Sequence, residues 1–394
     1  MTARGPSERT ALAAVALTGG GSEVRAFDMR PCRADDGWLR VESSGVCGTD
    51  VSLYAAGPAG PTVFGHHVHG RIAELGDAAA RRWGVLPGDE VVVEEYLPCG
   101  DCEQCADDRY RLCHRTDLWA GGRRVGLVPV DEEPSLWGGN AQYMYLPPEA
   151  VVHLLPGPLA DGLASWVLPL ANALDWVLGA GSLQRGETLV VLGPGHHGLA
   201  AVAAALHHGA GTVIAAGLPQ DRARLETAAS LGAGIAPIPD PEDSPAATAA
   251  ALREHVARVT RGRMADVVLD LTGAGPDSVT HAVGLLAQSG RLVLAGSTAT
   301  APATLDTGEL TRLNATVRGV RGRAPARVTE SISVLRSGGA GLAKVPTEYV
   351  ALSEVGDMLD RLAAGKGPAT PHVVVRPWNG DERPPAPRPR KEDR

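Results

Sequence analysis

The stretch VLGPGHHG, Val191 to Gly198, sets Gly193, Gly195 and Gly198 in the spacing G-x-G-x-x-G. Alone that spacing is weak, and an ordinary glycine-rich turn accounts for it. Its surroundings change the balance. The apolar run ETLVVLG leads into it, and HGLAAVAAALHHG follows with helical spacing. Strand, glycine turn and helix in that order are the context in which the spacing marks a dinucleotide loop. The glycines permit a tight turn and let a pyrophosphate approach the helix N-terminus, where free N–H groups and the dipole favour anions. His196 and His197 fill the free positions and read as incidental.

The alternation continues outward. TVIAAG reads as a strand, QDRARLETAASLGA as a helix and ADVVLDLTG as a strand. SVTHAVGLLAQSG then reads as a helix, RLVLAGS as a strand and TVRGV as the last strand. Strands alternating with helices predict a doubly wound parallel sheet, an α/β fold. The strand TVIAAG ends at Gly217, where an acidic residue would bind the ribose hydroxyls of NAD. With no carboxylate to repel a 2′-phosphate, and with Arg222 and Arg224 near, NADP is favoured over NAD. Asp221 or a backbone group serving NAD is the alternative.

Ahead of this region, LRVESSGV, GRIAEL, DEVVVEEYL and AQYMYLP read as strands of a β-rich domain. ALAAVAL, near the start, runs into TGGGSEVRAF, which suits a strand, a glycine turn and a second strand better than a signal segment. DGLASWVLPLANALDWVLGA has helical spacing and joins the two domains. With 394 residues, two or three domains are expected. A net charge of −8 argues against nucleic acid or anionic lipid as a partner, and no apolar run reaches membrane-spanning length. Cytoplasm is the expected location. The cluster RGVRGRAPAR, Arg318 to Arg327, reads as a solvated surface, with a phosphate site as the other reading. Residues 381–394 contain only charged residues, Pro and one Ala, a composition that predicts disorder.

Two clusters point to metal. Cys99, Cys102, Cys105 and Cys113 follow the spacing C-x2-C-x2-C-x7-C. Four thiolates close a tetrahedral shell around zinc with no open position, which marks a structural site. The second lies in CGTDVSLYAAGPAGPTVFGHHVHG, Cys47 to Gly70. Cys47 and His66 are candidate ligands of a catalytic zinc, Thr49 can pass a proton, and Asp50 can orient the second nitrogen of His66. Taken singly, each is more readily a buried Cys, a core His or a turn residue. Their combination carries the weight.

With these motifs the chain resembles the zinc-containing medium-chain dehydrogenase/reductase family, the alcohol, sorbitol and threonine dehydrogenase type, from about residue 11 to 376. GVCGTD resembles its first zinc-ligand motif, FGHHVHG its Gly-His-Glu segment, the Cys99–Cys113 loop its structural lobe and GPGHHG its dinucleotide loop. LWGGNAQY resembles its Gly-Gly-x-Ala-Glu-Tyr element. The resemblance implies a GroES-like catalytic domain over 1–169, with the zinc lobe at 95–115, and a Rossmann domain over 170–320. It further implies a return to the first domain over 321–376, a tail at 377–394, and a homodimer or homotetramer.

Three positions depart from the family pattern. His67 replaces the Glu after the ligand histidine, Leu168 stands at the third metal ligand, and Ser52 replaces a relay histidine. Cys47 and His66 alone hold zinc poorly. Either His67 completes a Cys47–His66–His67 set, or the site is empty. His69 is expected to pack or face solvent. Three functions stay open. The first is an NAD(P)-dependent oxidoreductase of a secondary alcohol (polyol, cyclitol or sugar-like) and its ketone, with an altered or absent catalytic zinc. The second is a zinc-independent reductase of activated C=C or C=N bonds. The third is a non-catalytic nucleotide-binding protein.

Overall fold

A computed structural model describes residues 9–160, 162–238, 245–272, 276–296, 302–365 and 370–379. The run Thr188–Leu192 is the centre of a six-stranded, all-parallel sheet. Its neighbours on one side are Thr212–Gly217 and then Gly234–Pro237. On the other side come Ala265–Asp270, Leu286–Leu294 and Thr316–Gly319. This is the 3-2-1-4-5-6 order of a dinucleotide fold, whose ligand crevice opens beside the first strand. The strand is buried on both faces, so a continuous apolar run is what it needs. Leu189 and Val191 enter the core beneath one helical layer, and Val190 and Leu192 the core beneath the other.

The first domain is built on a seven-stranded mixed sheet and a three-stranded antiparallel one. Arg9–Ala16 pairs with Ser22–Met29 as the expected hairpin. Gly37–Gly45 pairs with His67–Leu75, which carries His67 to the edge facing the second domain. His372–Val375 returns to this sheet beside Gly37–Gly45. Among the described residues, no helix is long and apolar enough to cross a membrane.

Several expectations need correction. SVTHAVGLLAQSG is not one helix: the helix Pro276–Val283 stops at Gly284, and the strand begins at Leu286. A register shift opposite Ala265–Val267 and a positive φ at Ser289 absorb the irregular lead-in. The short edge strand Gly234–Pro237 and the helix Pro245–Thr260 are additional elements. The division after residue 169 falls inside the helix Val167–Leu174, whose Val167, Leu168, Leu170, Ala171, Ala173 and Leu174 lie in the second domain's core. The helix Pro325–Arg336 places Val328, Ile332 and Leu335 in that same core, so the chain rejoins the first domain only at Thr347–Val350. At the start of the expected tail, the Trp378 indole donates to the Val41 carbonyl at 2.7 Å. Residues 380–394 lie outside the described residues.

The arginine cluster departs furthest from its reading as solvated surface. Arg318 is exposed, but Arg323 is fully buried between the two domains. Its Nη2 donates to Glu94 Oε2 at 2.9 Å and also to Glu95, and its Nη1 donates to Asn172 Oδ1 at 3.0 Å. Glu94 and Glu95 follow the first-domain strand Glu90–Val93, while Asn172 sits on the helix Val167–Leu174. Burial alone would raise the Glu95 pKa, but the guanidinium outweighs it and holds the carboxyl down at about 2. Removing one partner of a buried ion pair costs about 3–5 kcal/mol. Arg323→Ala is therefore expected to lose about that much in urea unfolding at neutral pH. The Glu95 part is complete above about pH 4.3, the unfolded carboxylate value, and is lost as pH falls toward about 2. A loss below about 1 kcal/mol, the range of exposed pairs, would contradict the buried arrangement.

Candidate active site

Asp50 organises the first half of the site. It is the third residue of the helix Gly48–Ala56, and its Oδ2 accepts from the Cys47 backbone N–H at 2.9 Å, which caps the helix start. Its Oδ1 lies 3.0 Å from His66 Nδ1. Donation from Nδ1 to the carboxylate leaves Nε2 free as a ligand, the usual orientation of a metal-bound histidine. Gly65, at φ +98, allows the turn that presents His66: a Cβ there would lie 2.3 Å from Ser44 Oγ and 2.6 Å from Asn140 Oδ1.

Cys47, His66 and His67 are all buried, and their ligand atoms lie within 4.8 Å of one another. Burial raises the Cys47 pKa, but the neighbouring His196 and His66 imidazoles outweigh it and bring the thiol down to about 6. Burial would lower the His66 pKa, yet Asp50 holds it well above its ordinary value. For His67, burial and then the charge on His66 push the pKa well down, so this imidazole stays neutral. Its Nδ1 is buried with no hydrogen-bond partner among the described residues. A thiolate, the neutral His67 imidazole and His66, whose Nε2 gives up its proton when a metal binds, make a donor set that suits zinc. The expected His67 ligand is thus brought into the site.

Leu168 is not at the site. It is 1% exposed and packed in the second domain's core, so Leu168→Glu would bury a carboxylate there rather than supply a ligand. The same helix reaches the cleft with Asn172, whose Nδ2 lies 3.1 Å from His197 Nε2. His69 is buried away from the cleft, its Nε2 2.7 Å from Glu90 and its Nδ1 3.2 Å from Ser43 Oγ. Thr49 and Ser52 line the cleft one turn apart and are exposed, with Thr49 Oγ1 3.8 Å from Cys47 Sγ.

The opposite wall is the glycine loop. A cleft of about 870 Å³ runs between it and Cys47. The helix His196–His208 starts at this loop, with Gly195 at its N-cap, so its first N–H groups open toward the cleft. A Cβ at Gly198 would meet the Gly193 carbonyl oxygen at 2.1 Å, whereas one at Gly195 would meet nothing within 4 Å. The close packing and the open space are what a pyrophosphate cradle requires. A Cβ at Gly217 would meet Pro194 Cγ at 2.8 Å, leaving no room for an acidic side chain. Arg222 does not line the cleft: it is exposed and paired with Glu226. Of the two arginines expected near Gly217, the one that lines the cleft is Arg224, 3.1 Å from Asp221 Oδ1.

His196 and His197 are not incidental. Cys47, His196 and His197 form a second set with ligand atoms within 4.8 Å. Glu95, Asn172, Trp176 and Arg323 complete the cleft floor or support it. Sequence spacing gave no sign of these four. For the histidines there was one: two adjacent ligand-bearing side chains at the free positions of the loop.

In the separate lobe, Cys105 Sγ lies 3.5 Å from Cys102 Sγ and 3.8 Å from Cys99 Sγ, and Cys113 Sγ lies 3.6 Å from Cys99 Sγ. Cys99, Cys102 and Cys113 also gather with the exposed His114 within 4.8 Å. Cys102 is drawn down to about 6, first by a backbone hydrogen bond at Cys105, while burial and the neighbouring thiols push Cys105 up to about 12. Thiols this close ionise together only around a cation.

Residues 33–157 match the alcohol dehydrogenase GroES-like domain, and residues 198–337 match the zinc-binding dehydrogenase domain. The chain is 36% identical to a probable alcohol dehydrogenase of Mycobacterium tuberculosis over 90% of this chain and 95% of that protein. It is 30% identical to a sorbitol dehydrogenase of Halalkalibacterium halodurans, over 80% of this chain and 85% of that one. The crystal structure of 2R,3R-butanediol dehydrogenase from Bacillus subtilis superposes with a TM-score of 0.77 at 22% identity, covering 93% of this chain and 99% of that one.

The Gly198–Gly193 contact is directly testable. Overpacking of this kind costs about 1–3 kcal/mol, and here it falls on the loop itself. Gly198→Ala is expected to weaken NADPH binding at least about tenfold in a fluorescence titration. Unchanged affinity would mean that the loop does not cradle the nucleotide.

Proposed function

The chain belongs to the zinc-type medium-chain dehydrogenase/reductase family, and we propose that it interconverts a secondary alcohol of polyol, cyclitol or sugar type and its ketone, preferring NADP to NAD. The observation that carries this reading is the meeting of Cys47, His66 and His67 across the cleft from the glycine loop. The likeness to a sorbitol dehydrogenase supports the substrate class. Gly217 and the cleft-facing Arg224 support NADP.

Bound zinc would supply polarisation of the substrate C–O bond, and a nicotinamide nucleotide would supply the hydride donor or acceptor. The chain's own residues prepare for that chemistry. Cys47 offers a thiolate, Asp50 fixes His66 so that Nε2 faces inward, and buried His67 keeps a lone pair available. Thr49 takes up the hydroxyl proton and Ser52 passes it toward solvent. Val46 and Leu127 give the cleft an apolar wall that keeps water from the hydride. In the lobe, Cys99, Cys102, Cys105 and Cys113 hold a structural zinc in this reading. Tetrahedral bonds of about 2.3 Å place sulfurs about 3.8 Å apart, close to the separations of 3.5–3.8 Å seen here. A homodimer or homotetramer acting in the cytoplasm completes the proposal.

A second reading drops the cleft metal and reduces an activated C=C or C=N bond, with His67, Thr49 or Ser52 as proton donor. What favours it is the helix Val167–Leu174, which offers the cleft no ready ligand. Leu168 lies in the core and Asn172 Oδ1 accepts from Arg323.

Metal analysis separates the two. The first reading expects two zinc ions per chain, falling to one in Cys47→Ala, with polyol oxidation down at least about 100-fold. One ion per chain in an active wild type would support the second reading instead. Arg224→Ala is expected to reduce the NADPH-over-NADH preference in kcat/KM about tenfold, the value of one charge-assisted hydrogen bond. An unchanged preference would remove Arg224 from cofactor selection.

A further inference from the structure

The proposed function uses only one of the two donor sets around Cys47. The second, Cys47 with His196 and His197, joins the two domains through the dinucleotide loop itself. The two imidazole rings lie 4.1 Å apart, and His196 Nε2 is buried with no hydrogen-bond partner among the described residues. The His67 ring is 5.9 Å from that of His196 and 5.7 Å from that of His197. The sets thus share only the Cys47 sulfur, and an ion takes one or the other. All three residues of the His66–His67 set are buried, whereas His196 and His197 are half-buried.

Ligand atoms of tetrahedral zinc lie about 3.3–3.8 Å apart, so a set within 4.8 Å needs movements of about 1 Å to close on an ion. His196 and His197 are the first two residues of the helix whose N–H groups face the cleft. An ion held between them and Cys47 fills the gap that a pyridine nucleotide must cross, with its pyrophosphate on the loop and its nicotinamide beside Cys47.

We propose that Cys47, His196 and His197 form a second zinc position, the one occupied in the nucleotide-free protein, and that zinc there and pyridine nucleotide exclude each other. The exclusion rests on the oxidoreductase reading, which puts the nicotinamide beside Cys47. It makes zinc an inhibitor of cofactor binding as well as a candidate catalytic ion. Nucleotide binding drives the ion toward His66 and His67. Linkage makes the effect reciprocal, and couplings between sites commonly amount to about 5–150-fold.

The test is NADPH binding, followed by nucleotide fluorescence, on protein holding zinc only in the Cys99–Cys113 lobe and on the same protein with a second equivalent added. The second equivalent is expected to raise the apparent Kd for NADPH at least about fivefold. His196→Ala combined with His197→Ala is expected to abolish that rise, while His67→Ala retains it. An identical Kd with and without the second zinc would overturn the proposal. So would a rise that survives the double substitution and disappears in His67→Ala. Should neither NADPH nor NADH bind under any condition, the oxidoreductase reading fails, and zinc retention against a chromophoric chelator decides the metal position alone. Equal retention by wild type and the double variant would then overturn it, and loss in the double variant would support it.

Discussion

The geometry of this protein hangs on one buried cation. Arg323, just past the end of the parallel sheet, reaches Glu94 and Glu95 of the first domain, and Asn172 of the second domain closes round its guanidinium. Glu94 is held in turn by His153, at 2.7 Å. A guanidinium so deep in low dielectric tolerates no drift of its partners, since an unpaired charge there is costly. The two domains are therefore fixed at the floor of the cleft. That fixed floor sets Cys47, His66 and His67 against the glycine loop, and through Asn172 it also positions His197.

The donor set shows how a site tolerates exchange of its parts. The resemblance implies a third ligand on the helix Val167–Leu174, but that helix turns Leu168 into the core. Histidines compensate in number: His67 from the sheet edge, His196 and His197 from the loop. Burial keeps the His67 and His197 imidazoles neutral, and a neutral imidazole is what a metal needs. The thiolate of Cys47 is common to both sets, so this one sulfur is the pivot of the chemistry. Asp50 secures it by spanning from the Cys47 backbone to His66.

What was legible in the sequence was local. The glycine loop, the buried apolar strands and the clustered cysteines each carry their reason within a short window. Asp50 and His66 were legible as a pair because a histidine ligand needs an orienting carboxylate. His67 was legible because its place in the motif was chemically wrong for the family. What was not legible depended on contacts between distant segments. Arg323 looks like any arginine in a charged run until Glu94 and Glu95 surround it. His196 and His197 look incidental until the first domain brings Cys47 to the loop. The helix read over 278–290 failed for a different reason: Leu286–Gly290 suits either state, and pairing along Ala265–Asp270 decided it. That Arg224 rather than Arg222 lines the cleft is likewise a matter of which helix face meets it.

The central claim is that Cys47 and histidines alone, with no ligand from the helix Val167–Leu174, hold a metal in the cleft. Diffraction from crystals grown with zinc and NADPH, collected on both sides of the zinc absorption edge, tests it most directly. Two anomalous peaks are predicted per chain, one among Cys99, Cys102, Cys105 and Cys113 and one bonded to Cys47 and to imidazole nitrogens. A single strong peak in the cysteine lobe, with the NADPH in place and none beside Cys47, would contradict the account.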